Sequence, residues 1–130
     1  MTPAWKDCYA AGIFTEFMEQ RAPGHTVLDD KIYRKGMLDF IADIDAAIAR
    51  LDFLGDPEAL DKRQELTAMR IAAEALILFA RRHADRAREL AAKEKSPERK
   101  RELLKIAEVC ERVPAHAPRD FHEALQAYWF

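Results

Sequence analysis

One loop between two predicted helices carries the residues of this sequence best suited to chemistry. It reads Arg-Ala-Pro-Gly-His-Thr-Val-Leu-Asp-Asp-Lys over residues 21–31. The Pro-Gly pair predicts a turn whose backbone can pass close to a ligand, and His25 follows it directly. An imidazole placed there could hydrogen-bond a substrate hydroxyl or carboxylate, or relay a proton. The residues alone favour a plainer interpretation, in which His25 is an exposed loop residue and Asp29 or Asp30 caps the next helix.

The remaining histidines and the two cysteines indicate structural roles. His83 falls on the apolar seam of a predicted helix, where a partly buried, hydrogen-bonded histidine is the ordinary case. His116 and His122 have no carboxylate or cysteine beside them at the spacing of a metal site. Cys8 and Cys110 are far apart and form no CxxC pair, so we predict small core residues with free thiols in a reducing cytoplasm.

Composition excludes several classes of function. The formal net charge of the 130 residues is −2, which argues against a general nucleic-acid or anionic-membrane surface. No apolar run approaches the roughly 20 residues of a transmembrane helix. The sequence contains no GxGxxG, P-loop, HExxH or GxSxG motif, so the residues alone predict no complete catalytic, cofactor or metal site.

The elements that must position these residues are all helical. Hydrophobic content is 49% with only four glycines, and no segment alternates apolar and polar residues as a half-buried strand does. Pro3, Pro57 and Pro97 each follow a Thr, Asp or Ser, the pattern of a capped helix start, and Pro118 resembles them. We predict an all-α chain of one domain, residues 1–130, with no internal boundary. Its five helices are expected at about 4–20, 30–53, 57–93, 97–113 and 118–130.

The third predicted helix has a sustained apolar seam with small residues interleaved. The predicted seam consists of Leu66, Met69, Ala73, Leu76, Ala80, His83, Ala87 and Leu90. A matching seam on the second helix consists of Met37, Ile41, Ile44, Ile48 and Leu51. An unbroken third helix would be about 55 Å long, whereas a compact chain of this size has a radius of gyration of about 14 Å. We therefore expect an elongated helical array or bundle, or one layer of something larger.

The last predicted helix is apolar on several sides. Phe121, Leu125 and Tyr128 share one face, and Trp129 and Phe130 lie beside it. A helix of this kind requires burial on several sides. The residues leave two explanations open: a contact with a partner or a second copy, or burial within a longer chain.

Two stretches resemble the glycyl radical enzymes, in the pyruvate formate-lyase-like branch that includes the glycerol and diol dehydratases. The first is FMEQRAPGHTVLDDKIYRKGMLDF, residues 17–40, and the second is LLKIAEVCERVPAHAPRDFHEALQAYWF, residues 103–130. The FARRHADRARELA stretch between them is similar in character. The second stretch is the more specific, because it is a long and unusual string. On this resemblance the chain is a segment from the N-terminal third of such an enzyme.

The resemblance implies a ten-stranded α/β barrel in the parent enzyme, which shields a radical from water and oxygen. A glycyl radical near the parent's C-terminus, installed by an activating enzyme with an iron–sulfur cluster and S-adenosylmethionine, generates a thiyl radical on a barrel cysteine. Neither element is present in these 130 residues: no glycine lies in an Arg-Val-x-Gly-Tyr setting, and no cysteine in a Gly-Cys-x-Glu setting. The isolated segment is therefore expected to lack catalytic residues and to be inactive.

The resemblance also bears on four individual residues. His25 in Pro-Gly-His-Thr matches the position where dehydratase members place a histidine on the substrate hydroxyl, which implies that it binds or protonates a departing hydroxyl group. This favours a dehydratase-like lyase over a formate acetyltransferase as the parent. Arg119, Glu123 and Trp129 match the family string as well, and we interpret them as structural.

Two function hypotheses follow. In the first, the chain is a helical part of a cytoplasmic, anaerobic glycyl radical enzyme that cleaves a C–C or C–O bond of a small polar substrate. In the second, it is a stand-alone helical interaction or oligomerisation module, with Phe121, Leu125, Tyr128, Trp129 and Phe130 as its contact surface.

Overall fold

The protein is seen here in a computed structural model that describes residues 2–12 and 30–130. These residues contain α-helices and no β-strand, so the all-α prediction is confirmed. The helices are α1 (Pro3–Ala10), α2 (Lys31–Arg34), α3 (Met37–Ala49), α4 (Ala59–Lys93), α5 (Pro97–Arg112) and α6 (Phe121–Trp129). Within the two described ranges, no helix is both long and apolar enough to cross a lipid bilayer.

Helix α4 is the element against which the others are arranged. Its 35 residues make it about 52 Å long at 1.5 Å per residue. Helix α3 packs along its N-terminal half and α5 returns along its C-terminal half. The turn into α5 is predictable from the sequence, because Ser96 Oγ accepts a hydrogen bond from the Arg99 N–H at 3.3 Å and Pro97 is the first helical residue.

The predicted seam of α4 is correct only in part. Ala73, Ala80 and Ala87 are buried as predicted, but Met69 and Leu90 are 56% and 41% exposed. The buried stripe instead includes three further residues of α4, which are Ile77, Ala84 and Ala91. Alanines permit close approach of the neighbouring helices, so the contact line follows the small residues and the longer side chains lie at its margins. On α3, Met37 and Ile44 are buried as predicted.

The predicted helix 30–53 is wrong as a single element, because it breaks at Gly36. The first two N–H groups of α3 donate to a neighbouring loop rather than to a preceding turn of helix: Met37 N–H to the Pro114 carbonyl at 2.8 Å, and Leu38 N–H to the Ala115 carbonyl at 3.1 Å. A Cβ at Gly36 would lie 2.2 Å from the Ala115 carbonyl oxygen. Glycine is therefore required here by the close approach of two backbone segments.

The start of α1 agrees with the sequence and its end does not. Thr2 Oγ1 accepts from the Trp5 N–H at 3.3 Å and Pro3 is the first helical residue. The helix ends at Ala10, and Gly12 has φ of +70°, a left-handed conformation that a continuing helix does not contain. The remainder of the predicted 4–20 helix, residues 13–20, lies outside the described residues.

The starts of α4 and α6 are both later than predicted. Asp56 Oδ1 accepts from the Glu58 N–H at 3.0 Å and forms a turn, so α4 begins at Ala59 rather than at residue 57. Asp120 Oδ1 accepts from the Glu123 N–H at 2.9 Å, so Asp120 caps α6 and Pro118 does not open it. In each case an aspartate side chain accepts a hydrogen bond from a backbone N–H two or three residues later.

Candidate functional site

A buried carboxylate organises the loop between α5 and α6. Glu123 is 1% exposed, and its oxygens accept from the Arg119 backbone N–H at 2.8 Å and the Arg119 Nε at 3.0 Å. Arg112 Nε lies 3.3 Å from Glu123 Oε2, and its guanidinium also donates to the Ala117 carbonyl at 3.2 Å. One carboxylate thus joins α5, the connecting loop and α6.

The charge of Glu123 is stabilised by its surroundings. The Arg119 side-chain hydrogen bonds, followed by its backbone N–H and the charges of Arg119 and Arg112, lower the Glu123 pKa from 4.5 to about 2 despite the opposing effect of burial. This carboxylate is 1% exposed and already accepts hydrogen bonds from Arg119, so little of it is accessible to a substrate, and it stays ionised at neutral pH. The geometry supports the interpretation of Arg119 and Glu123 as structural.

The same loop receives the start of α3. Residues 113–115 are buried, and the Pro114 and Ala115 carbonyls accept the α3 N–H groups described above. Gly36 N–H donates in turn to Asp39 Oδ2 at 2.9 Å. This junction fixes the start of α3 against the loop stabilised by Glu123, and α2 contacts α6. Sequence reasoning missed the junction, although a glycine inside a predicted helix was a signal for a break.

His83 belongs to an aromatic cluster with Phe79, Trp129 and Phe130. Its Nδ1 lies 3.0 Å from the Phe79 carbonyl oxygen, and since a carbonyl can only accept, this nitrogen carries the proton. The His83 ring centroid lies 5.4 Å from that of Trp129 and 5.6 Å from that of Phe130. The prediction of a partly buried, hydrogen-bonded histidine is confirmed.

The aromatic cluster explains only part of the aromatic end of the chain. Phe130 is half-buried, whereas Trp129 remains 63% exposed despite its ring contacts. Phe121, Leu125 and Tyr128, the predicted apolar face of α6, are 78%, 53% and 61% exposed. The described residues therefore leave this face largely uncovered.

Cys110 is a core residue, as predicted. It is 3% exposed and packs with Ala84, Ala87 and Ala107 where α4 meets α5. It lines a cavity of about 360 Å³ together with His83, which raises the question of a Cys–His pair. Burial raises the pKa of the Cys110 thiol, so it stays protonated and unreactive at neutral pH.

The other predicted site residues are dispersed or lie outside the described residues. His25 and Asp29 belong to the latter group. Asp30 precedes α2 but makes no capping hydrogen bond, and its carboxylate pairs with Arg34 instead. Cys8 is half-buried, while His116 and His122 are exposed. Among the described residues, no group of three or more His, Cys, Asp or Glu side chains is placed to hold a metal ion.

A model of the family described as "Pyruvate formate lyase-like" matches residues 1–130. The chain belongs to this family. Among curated members, trans-4-hydroxy-L-proline dehydratase of Clostridioides difficile is 52% identical over 130 residues, which are 100% of this chain and 16% of that protein. Isethionate sulfite-lyase of Nitratidesulfovibrio vulgaris is 45% identical over 101 residues, which are 78% of this chain and 12% of that protein.

Solved structures of pyruvate formate lyase-like proteins have the same fold over this region. Hydroxyproline dehydratase from C. difficile, with trans-4-hydroxy-L-proline bound, gives a TM-score of 0.79 at 52% identity over 99% of this chain and 16% of its own. A Roseburia inulinivorans structure of 1,2-propanediol dehydration gives 0.76 at 33% identity over 80% of this chain and 13% of its own. The resemblance to glycyl radical enzymes, drawn from residues 17–40 and 103–130, is confirmed.

Proposed function

We propose that this chain is a helical part of a glycyl radical dehydratase that removes a hydroxyl group from a small polar substrate. The observation that carries the proposal is the 52% identity to trans-4-hydroxy-L-proline dehydratase, which extends over all 130 residues. The match to isethionate sulfite-lyase is weaker and covers 78% of the chain. The substrate class favoured by this difference is a hydroxylated amino acid.

The chain spans about one sixth of that dehydratase, so the reaction is a property proposed for a longer protein. The radical would be supplied by regions outside these 130 residues, and an S-adenosylmethionine-dependent iron–sulfur activating enzyme is the partner proposed to install it. The 130-residue chain alone is expected to show no turnover.

Within the proposed enzyme, the described residues fix the start of α3, which follows the segment containing His25 in the sequence. Gly36, Pro114 and Ala115 hold the start of α3 against the α5–α6 loop, and the ion pairs of Glu123 hold that loop. His25 lies eleven residues before Gly36 in the sequence. Its proposed role is to hydrogen-bond the departing hydroxyl and to donate a proton to it, which an imidazole can do near neutral pH.

The experiment uses the full-length protein, activated anaerobically with its activating enzyme. Radical formation is measured by electron paramagnetic resonance, and turnover is compared on trans-4-hydroxy-L-proline, isethionate and 1,2-propanediol. The proposal predicts a glycyl radical signal and the highest kcat/KM on the hydroxylated amino acid. A glycyl radical with preferred cleavage of the C–S bond of isethionate would contradict the dehydratase assignment. No radical signal would contradict the enzyme assignment itself.

His25→Ala tests the one substrate contact proposed within this chain. Loss of a general acid costs on the order of 10²–10⁴ in rate, so kcat should fall by that amount while the protein still folds and still forms the radical. His122→Ala is the matched control, because His122 is an exposed histidine of α6. Equal turnover in both variants would contradict the proposed role of His25 as a general acid.

A second candidate function is an interaction or oligomerisation module. It is favoured by the exposure of Phe121, Leu125, Tyr128 and Trp129, which a stand-alone protein would be expected to cover. Sedimentation of the 130-residue chain at several concentrations distinguishes the candidates. A module predicts one defined oligomer, whereas a part of a larger enzyme predicts concentration-dependent, open-ended association.

A further inference from the structure

An apolar groove lies where α3, the N-terminal half of α4 and the end of α6 meet. It has a volume of about 770 Å³, and we define it by six of its lining residues: Met37, Ile44, Met69, Leu76, Pro114 and Trp129. Met69 and Trp129 are more than half exposed. A groove of this size with large apolar side chains at its rim favours an occupant, since soluble proteins rarely leave such a patch uncovered.

The lining does not fit a small polar molecule. Small-molecule sites combine apolar walls with a few polar groups that converge on the ligand. The acidic residue in this lining is Asp43, and the Lys35 ammonium already pairs with its carboxylate. No buried side-chain N or O atom of the lining lacks a hydrogen-bond partner among the described residues. The occupant that fits is a run of apolar side chains.

The polypeptide itself indicates which apolar run this is. Tyr128, Trp129 and Phe130 line the groove, so any chain that continues from Phe130 begins at its wall. The relatives that match this chain are about six times longer. We propose that the groove is filled by apolar side chains of the segment that directly follows Phe130 in the full-length enzyme. This inference rests on the proposed function, in which the 130 residues are part of a longer chain.

Site-specific photo-crosslinking in the full-length protein tests the occupant. Met69 is replaced by p-benzoylphenylalanine, the protein is irradiated, and the crosslinked peptides are identified by mass spectrometry. The expected result is an intrachain crosslink from position 69 to a peptide C-terminal to Phe130. Mixing ¹⁴N- and ¹⁵N-labelled protein before irradiation identifies contacts between copies. Mixed-isotope crosslinks would overturn the inference in favour of a second copy, and the absence of any crosslink would overturn it in favour of an open groove.

Leu78 is the matched control position. It is 50% exposed against 56% for Met69, and nine residues of helix place it roughly 180° around α4 from Met69. The crosslink to the segment captured from position 69 should be absent when the photo-crosslinker is at position 78. The same segment captured from both positions would mean non-specific contact and would contradict the groove assignment. Dehydratase turnover of the same preparation separates the two proposals: an active enzyme without the expected crosslink refutes only this inference.

Discussion

The two halves of α4 face different environments. Along its C-terminal half, Ala84 and Ala87 are covered by α5, and the α5–α6 loop beyond it is fixed by the ion pairs of Glu123. Along its N-terminal half, α3 covers Ala73 and Ile77 but leaves Met69 exposed in the apolar groove. The first region, called the closed region below, finds its packing partners within these 130 residues. The second retains an apolar surface whose partners are proposed to lie elsewhere.

The largest effect is expected from Glu123→Ala in the closed region. Removing this carboxylate leaves Arg119 and Arg112 without their counter-charge and the Arg119 N–H without its acceptor, and it leaves a void where a side chain was 1% exposed. Together these losses should lower the free energy of unfolding by about 3–5 kcal/mol. Glu102→Ala is the control, because Glu102 makes an exposed pair with Arg99 and should cost less than about 1 kcal/mol. Urea denaturation measures both, and equal losses would contradict a special role for Glu123.

Truncating one side chain in each region tests the comparison directly. Leu103 in α5 is 7% exposed, so Leu103→Ala should lower the free energy of unfolding by about 2–5 kcal/mol. Met69→Ala removes a side chain that is already more than half exposed and should cost less than about 1 kcal/mol in the 130-residue chain. Leu76→Ala should fall between them, because Leu76 is half-buried at the groove. A Met69→Ala cost as large as that of Leu103→Ala would show that the groove is closed.

Acid should weaken the closed region through Glu123. Its folded-state pKa of about 2 lies below the ordinary 4.5, so its contribution is fully present above pH 4.5 and is lost as pH falls towards 2. The free energy of unfolding should fall by at most about 3 kcal/mol. The expected loss is smaller than this limit because solvent screens the charge of the half-exposed Arg119. Glu123→Gln should remove this part of the pH dependence. If the free energy of unfolding of Glu123→Gln fell with acid as it does in the unmodified protein, the attribution of this loss to Glu123 would be contradicted.

A smaller effect is expected at the junction between the regions. Gly36→Ala places a Cβ against the Ala115 carbonyl oxygen and the His116 backbone, which cannot move without displacing the loop. We expect a loss of about 1–3 kcal/mol. At Gly55 the nearest atom is the flexible Asp52 carboxylate, so Gly55→Ala should be well tolerated. Thermal unfolding of the two variants gives the comparison, and similar melting temperatures would show that the junction adjusts freely.

The sequence predicted what depends on local pattern and missed what depends on contacts between distant segments. Thr2 and Ser96 cap helices as predicted, because a capping side chain bonds to its own helix. The break at Gly36 depends on carbonyls nearly eighty residues away, and no local rule places them there. Leu90 was expected in the seam because of its spacing, yet alanines determine how closely α5 approaches.

For the candidate site, family resemblance contributed more than side-chain chemistry. The Arg119–Glu123 pair has i,i+4 spacing, but the contribution of Arg112 was not predictable from spacing, since Arg112 lies eleven residues from Glu123 on another helix. The role of His25 stays a prediction, because His25 is outside the described residues. The family assignment came from two long strings of residues, and a match over the entire chain confirmed it.

The most direct test of the central claim is to read the source gene in frame beyond the codon for Phe130. The account predicts an open frame several hundred codons longer, with a Gly-Cys-x-Glu motif and an Arg-Val-x-Gly-Tyr motif near its end. A stop codon directly after Phe130 would contradict it and would favour a free-standing helical protein whose aromatic end is a binding surface.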